Sequence, residues 1–284
     1  MTDDLEAKIK TAEFKFGAKK AAEELAEQIL EWTAGTGANG GVIGLSGGID
    51  STTVAYLSKF AFDSYNKENP DKKPLELVGL IMPSAVNSWD DKEDALRVAR
   101  ALGIKPRIIP IQPLADAFKS QIHEVLLKDF DVGNLYAEIR ATVLSRYGAA
   151  ENLRIMGTGN RDEDYILGYF TKRGDGAVDN NILGNVPKRL VRKLATWLGV
   201  PKDLVNRVPT AGLWPGQTDE GELGYNYDMA EIIQNGYDEG KTAEQIQKIT
   251  GYDMKIVKDV DFRHKTSEHK RQVPPVGKLS LDYR

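Results

Sequence analysis

Residues Gly44-Leu45-Ser46-Gly47-Gly48-Ile49-Asp50-Ser51 bring paired glycines, hydroxyls and one carboxylate into a single short stretch. An apolar run of strand length, Val42, Ile43 and Leu45, leads into them, and Thr52 to Phe62 reads as a helix that Asp50 or Ser51 would cap. Glycine reaches backbone angles closed to other residues, so such a loop can turn several N–H groups and a helix N-terminus toward one anion. The chemistry that fits is pyrophosphate binding, with Asp50 placed to hold the Mg²⁺ that travels with nucleotide phosphates. Judged on its glycines alone, an ordinary turn of an α/β protein fits equally well. No GxxxxGK[ST] occurs. The GxGxxG at Gly35-Thr36-Gly37-Ala38-Asn39-Gly40 precedes a strand, whereas a Rossmann fingerprint must follow one.

The elements that must position this loop can be read along the chain. Leu5, Ile9, Phe14, Ala22, Leu25, Ile29 and Leu30 recur at helical spacing and predict one or two amphipathic helices over 3–33. A polar loop at 67–73 leads to a buried strand from Leu75 to Met82. Asp90, Asp91 and Asp94 open a helix over 89–102, where acids suit the positive end of the dipole. Ile104 to Ile111 gives a third strand, weakened by Pro106 and Pro110; helices over 113–128 and 132–148 and a fourth strand at Leu153 to Gly157 follow. This alternation predicts a doubly wound, Rossmann-like α/β fold: a parallel sheet with flanking helices and ligands at the carboxyl ends of the strands.

If the first and fourth strands are neighbours, the loop ending in Asp50 faces Gly157-Thr158-Gly159-Asn160-Arg161-Asp162-Glu163 across one crevice. Glu163 would then supply a second hard oxygen for Mg²⁺, in competition with Asp162 and Asp164. Residues 171–186 show no periodicity, and Pro187 fits the first turn of a helix to Leu198. A second irregular stretch spans 208–225, Thr242 and Gln245 form a capping box, and Ser267 to Arg284 reads as an irregular tail. One domain is expected: N-terminal helices at 3–33, a core at 41–200, and a helical addition with its tail at 201–284.

The chain has 284 residues, 41% hydrophobic and 28% charged, enough for a sizeable core. No apolar run approaches the ~20 residues of a membrane span, and MTDDLEAKIK has neither the basic start nor the apolar stretch of a signal peptide, so a cytoplasmic protein without a membrane partner is expected. Zero cysteines remove thiolate chemistry and disulfides, and a net charge of −4 argues against a nucleic-acid partner.

SGGIDS after an apolar strand resembles the PP-loop of the ATP pyrophosphatases, whose fold is the adenine nucleotide alpha hydrolase-like one. GTGNRDE at 157–163, GYFTK at 168–172, GDG at 174–176, PTAGLWPGQTDEGELG at 209–224 and SEHKRQVP at 267–274 follow in order, and together they resemble the ammonia-dependent NAD synthetases over roughly residues 20 to 276. The resemblance implies that a nicotinate carboxylate of deamido-NAD attacks the α-phosphate of ATP, and that ammonia then displaces AMP from the acyl adenylate. It further implies that Gly44 to Ser51, Thr158, Lys188 and Thr210 contact ATP, that Asp50 and Glu163 bind Mg²⁺, and that Lys172, Asp179, His269 and Lys270 hold the dinucleotide. Asp175 is implied to position or deprotonate ammonia. Where the family often reads GNxxARxRM, this chain has Gly133-Asn134-Leu135-Tyr136-Ala137-Glu138-Ile139-Arg140-Ala141, so Glu138 replaces a dinucleotide-contacting arginine. Asn134 and Arg140 match the rest of that motif, and Arg140, Arg146 or another cation would have to serve instead, unless the substrate lies differently. The same segment belongs to the family's dimer interface, which implies a homodimer. A glutamine-dependent form would need a fused glutaminase and its cysteine. The other readings are a different PP-loop enzyme, such as a GMP-synthesising one, or a non-catalytic nucleotide sensor; a sensor has no need of Asp50, Glu163, Asp175 and Lys188 together.

Overall fold

The computed structural model describes residues 4–104, 106–207 and 218–279. Four parallel strands lie in the order β3-β2-β1-β4, with β1 at Gly40–Gly44, β2 at Glu76–Ile81, β3 at Arg107–Ile108 and β4 at Arg154–Ile155. Side chains alternate across the sheet, so β1 sends Ile43 to one core and Val42 to the other. The first core is closed by α2 (Ala18–Trp32), α3 (Ile49–Glu68), α4 (Trp89–Ala101) and α7 (Lys188–Trp197). The second is closed by α5 (Gln112–Gln121) and α6 (Asp129–Glu151). Burial on both faces explains why Val42, Ile43 and Leu45 form an unbroken apolar run and not an alternating one.

The chain winds from β1 to β3 with α3 and α4 on one face, then returns through α5 and α6 on the other to place β4 beside β1. The strand order therefore reverses between β1 and β4, and the loops after these strands open the crevice where ligands of such sheets bind. The expected fold and strand neighbourhood are both present.

Several boundaries differ from the sequence reading for local reasons. The third strand shrinks to Arg107–Ile108 because Pro106 and Pro110 have no N–H for the ladder. Helix α3 starts at Ile49, earlier than Thr52, with Gly48 as N-cap and no capping side chain. Asp50 and Ser51 thus lie in the first turn: Ser51 Oγ donates to Gly48 O at 3.2 Å, and Asp50 is left to point into the crevice. Pro187 is the N-cap of α7, one position before its first turn. The expected glycine loop at 157–163 stops at Asn160, and Arg161–Leu167 winds as a π-helix.

Beyond α7, the short α8 (Lys202–Val205), α9 (Asp219–Leu223), α10 (Tyr227–Asp238), α11 (Ala243–Thr250) and α12 (Met254–Thr266) follow. The capping box at Thr242 and Gln245 starts α11 as expected, whereas α9 occupies part of the stretch expected to be irregular. Ile166 and Leu167 of the π-helix pack with Tyr225, Tyr227, Ile233, Ile246 and Val257, so the helical addition shares a core with the segment carrying Glu163. From the N-terminus, α1 (Leu5–Lys15) places Leu5 and Ile9 against Ile232 of α10. The tail begins with a further helical turn, α13 (Glu268–Arg271), which lies over Gly168.

That crossing needs Gly168, which has φ +57° and whose added Cβ would lie 2.0 Å from Ser267 Cβ. Gly168→Ala should therefore lift α13 from its seat and add left-handed strain of ~1–2 kcal/mol. Hydrogen exchange will read this as faster exchange of the Lys270 amide, with protection of β1 and β2 unchanged.

Candidate active site

The crevice is a cavity of about 450 Å³ whose walls include Ser46, Gly48, Asp50, Ser51, Asn134, Arg140, Thr158, Glu163, Asp175, Lys188 and Lys270. Gly47 shapes the glycine-rich loop after β1 without facing the cavity. It has φ +79°, and a Cβ there would meet Asp91 O at 2.8 Å, so α4 can approach the loop only over a glycine. Ser46 Oγ accepts the Gly48 N–H at 3.1 Å and lies 2.9 Å from Ser51 Oγ, which closes the loop on itself. Arg207, which also lines the cavity, braces it by donating to Gly47 O at 3.3 Å and to Asp94 Oδ2 at 2.9 Å, with Asp91 also bound.

At the centre, Lys188 Nζ donates to Asp50 Oδ2 and Glu163 Oε1, both at 2.6 Å, while the residue is only 2% exposed. Three elements meet there: the start of α3, the first turn of the π-helix and the start of α7. Burial works against the charge of Lys188, but the two carboxylates override it and raise its pKa. Burial pushes the Glu163 carboxyl up; Lys188 opposes that shift and the Asp50 charge adds to it. Tyr227 completes the shell, its ring 5.4 Å from Lys188 Nζ and its hydroxyl donating to Asp219 Oδ2 at 2.7 Å.

Asn160 is the junction that sequence reasoning missed. Fully buried, it donates to Asp50 Oδ1 at 3.0 Å and accepts the Asp162 and Glu163 N–H groups at 3.0 and 3.1 Å. The signal was present, since asparagine before an acidic run is an N-cap pattern. Asp162 and Asp164, the rivals of Glu163, face other partners. Asp162 Oδ2 accepts the Lys188 N–H at 2.8 Å, and Asp164 Oδ2 accepts from Asn181 at 2.5 Å.

Asp175 faces the cavity from a turn in which Gly174 N donates to Thr171 O at 2.9 Å. Dense surroundings raise its carboxyl above the usual range, against the pull of its own N–H, the Thr171 N–H, Lys270 and Arg140. Arg140 donates to Met82 O at 3.1 Å and Asn87 Oδ1 at 3.0 Å, and burial lowers its pKa to about 10. Asn134 accepts from Thr171 Oγ1. Glu138 is exposed outside the cavity wall, so its charge does not confront a ligand in its own chain's crevice.

The remaining expected substrate contacts make structural bonds here. Lys172 Nζ donates to the His269 and Gln272 carbonyls, the latter at 3.0 Å, and so clamps α13. Lys270 Nζ reaches Gly168 O at 2.8 Å and Phe170 O at 2.7 Å from the cavity rim. His269 is exposed, with Nδ1 3.1 Å from Thr266 O. Asp179 Oδ2 accepts the Ile155 N–H at 2.7 Å and finishes the open edge of β4. Lys172, Asp179 and His269 lie outside the cavity wall, and Thr210 lies outside the described residues.

A switch-point crevice with a glycine-rich loop, a buried lysine and two convergent carboxylates sits in an α/β protein of the doubly wound class. The model of the family described as NAD synthase matches residues 21–274. The NH(3)-dependent NAD(+) synthetase of Methanocaldococcus jannaschii is 39% identical over 264 residues, 92% of this chain and 97% of that protein. Among solved structures, the NMN synthetase from Francisella tularensis superposes with a TM-score of 0.79 at 33% identity, covering 93% of this chain and 100% of the other. The NH3-dependent NAD synthetase from Campylobacter jejuni, in complex with the nitrate ion, gives 0.73 at 26% identity, with 93% and 100% covered. The chain belongs to the NAD synthase family.

Asp162 is buried and its Oδ1 has no hydrogen-bond partner among the described residues, and burial raises its pKa to about 7. A raised carboxyl binds more protons folded than unfolded, so its contribution to stability falls as pH rises from about 4 to about 7. Asp162→Asn keeps the acceptor for Lys188 N–H and removes the charge. Its stability relative to the parent in urea melts should therefore increase between pH 5 and pH 8.

Proposed function

We propose that the chain is an ammonia-dependent NAD synthetase, a ligase that forms the amide of NAD from deamido-NAD, ATP and ammonia through an acyl adenylate. The observation that carries this reading is the meeting of Asp50, Glu163 and Lys188 inside the β1/β4 crevice, beside the glycine-rich loop that opens α3. A carboxylate is a poor acyl donor until its oxygen joins a good leaving group, so the first task is to withstand charge building on the phosphates of ATP.

The phosphate loop from Gly44 to Ser51 would cradle those phosphates, with Thr158 and Lys188 on the facing wall and Thr210 as a further ATP contact. The raised pKa of Lys188 keeps its ammonium charged at any working pH, a fixed cation for the transition state. Asp50 and Glu163 fit a hard divalent cation, because two carboxylates supplemented by phosphate oxygens and water are a usual Mg²⁺ donor set. Bound there, Mg²⁺ supplies neutralisation of phosphate charge. Asp175, which faces the cavity with its carboxyl raised above the usual range by burial, would take a proton from the incoming ammonium or amine. Asn134, Arg140 and Lys270 line the same cavity and would contact deamido-NAD, and Lys172, Asp179 and His269 would serve it through the seating of β4 and α13.

A homodimer fits the surface. Leu114 and Phe118 of α5, Ile122, Val125 and Leu127 of the connection, and Phe130 at the start of α6 are all exposed, and α6 also carries Asn134 and Arg140. A cytoplasmic location fits ATP as co-substrate. The second reading is amidation of nicotinic acid mononucleotide. It is favoured by the extent of similarity to the F. tularensis NMN synthetase and by the absence of an arginine at position 138.

The deciding assay is pyrophosphate release from Mg·ATP with deamido-NAD, nicotinic acid mononucleotide, xanthosine monophosphate or no acceptor, each with and without ammonium. Dinucleotide-dependent release, with NAD formed only when ammonium is present, is expected; release with the mononucleotide alone would select the second reading. Asp175→Asn should slow amide formation more than adenylation, by roughly the 10²–10⁴-fold typical of a lost proton-transfer group. The double substitution Phe118→Glu and Leu127→Glu should convert dimer to monomer in sedimentation equilibrium, and an unchanged mass would remove this segment from the interface.

A further inference from the structure

Resting on the assignment of Asp50 and Glu163 as metal ligands, we propose that Lys188 is a built-in competitor for the metal position, so that a divalent cation is held firmly only together with a polyphosphate. The lysine ammonium is 2.6 Å from one oxygen of each carboxylate, Asp50 Oδ2 and Glu163 Oε1, so it sits between the two groups a cation would have to bridge. The other oxygen of Asp50 is occupied by Asn160 Nδ2 at 3.0 Å. A cation binding the same pair must therefore displace the ammonium or tolerate it at close range, and in a buried site like charges are poorly screened.

The backbone of Lys188 cannot retreat. Its N–H is bound to Asp162 Oδ2 at 2.8 Å and it opens α7, so displacement is confined to the side chain. A buried ammonium deprived of its acceptors pays a large desolvation penalty. The cavity offers a way round this. Lys188 lines the same cavity as Ser46, Gly48 and Ser51, so phosphate oxygens seated on that loop would become the acceptors to which the ammonium can swing. The phosphates thereby remove the competitor and add ligands of their own to the cation. The two effects have one sign, and by linkage the cation must strengthen polyphosphate binding by the same factor. The Tyr227 ring, held by its hydroxyl on Asp219, supports the ammonium at 5.4 Å and limits how far it strays in the other direction.

The test is Mn²⁺ binding to the full-length protein without nucleotide, followed by electron paramagnetic resonance of free Mn²⁺. Wild type and Lys188→Arg, which keeps the cation, should bind with a dissociation constant no tighter than about 1 mM, as expected for a two-carboxylate site carrying its own counter-charge. Lys188→Met should bind Mn²⁺ about tenfold tighter or better, and adding Glu163→Gln to it should abolish the gain. Equal or weaker binding by Lys188→Met would overturn the proposal. If that variant does not fold, the wild type decides, since binding tighter than about 1 mM contradicts a resident competitor. Equilibrium binding of Mg·ATP to wild type separates the two levels: a protein that binds Mg·ATP but shows no gain in Lys188→Met refutes only the competitor, whereas failure to bind Mg·ATP refutes the metal-ligand assignment as well.

Discussion

The structure depends on one buried ion triad. Lys188 is all but inaccessible, and it is tolerable there only because Asp50 and Glu163 each meet it at 2.6 Å. Removing one member of such a group leaves an uncompensated buried charge and typically costs ~3–5 kcal/mol. The partners come from three separate elements, so the start of α3, the π-helix and the start of α7 must all be in place before any charge is satisfied. Asn160 reinforces the same meeting point, since it caps the π-helix with two acceptor bonds while donating to Asp50 at the start of α3.

Around that triad the fold divides its labour. The parallel sheet supplies rigidity and sets the β1 and β4 loops opposite each other, while the C-terminal helices supply the remaining wall. The π-helix joins the two: it projects Glu163 into the crevice and buries Ile166 and Leu167 in the helical core. A π-turn spends regular i→i−4 bonding to re-aim a side chain, which is why such turns recur at functional sites. The tail closes on this frame through Lys172 and Lys270, whose ammonium groups bind main-chain carbonyls and thus fix the positions of loops without dictating side-chain identity.

The sequence by itself determined the parts whose signals are local. Unbroken apolar runs fixed β1 and β2 because both faces are covered, the Thr242–Gln245 box fixed the start of α11, and the strings from SGGIDS to SEHKR carried the family. Spacing also pointed to Glu163 beside Asp50, but only on condition that β1 and β4 are neighbours, and left Asp162 and Asp164 as equals. Tertiary structure decided among the three acids, since the π-helix turns only Glu163 toward Lys188 while Asp162 caps the backbone of α7 and Asp164 meets Asn181. It decided that Asp50 is no helix cap, that Asp179 completes a sheet edge, that Lys172 grips the tail, and that Glu138 faces away from the crevice. The physical reason is the same in each case. A residue's type and spacing specify what it can bond, but the partner it does bond is set by segments far away in sequence, and only packing brings those within reach.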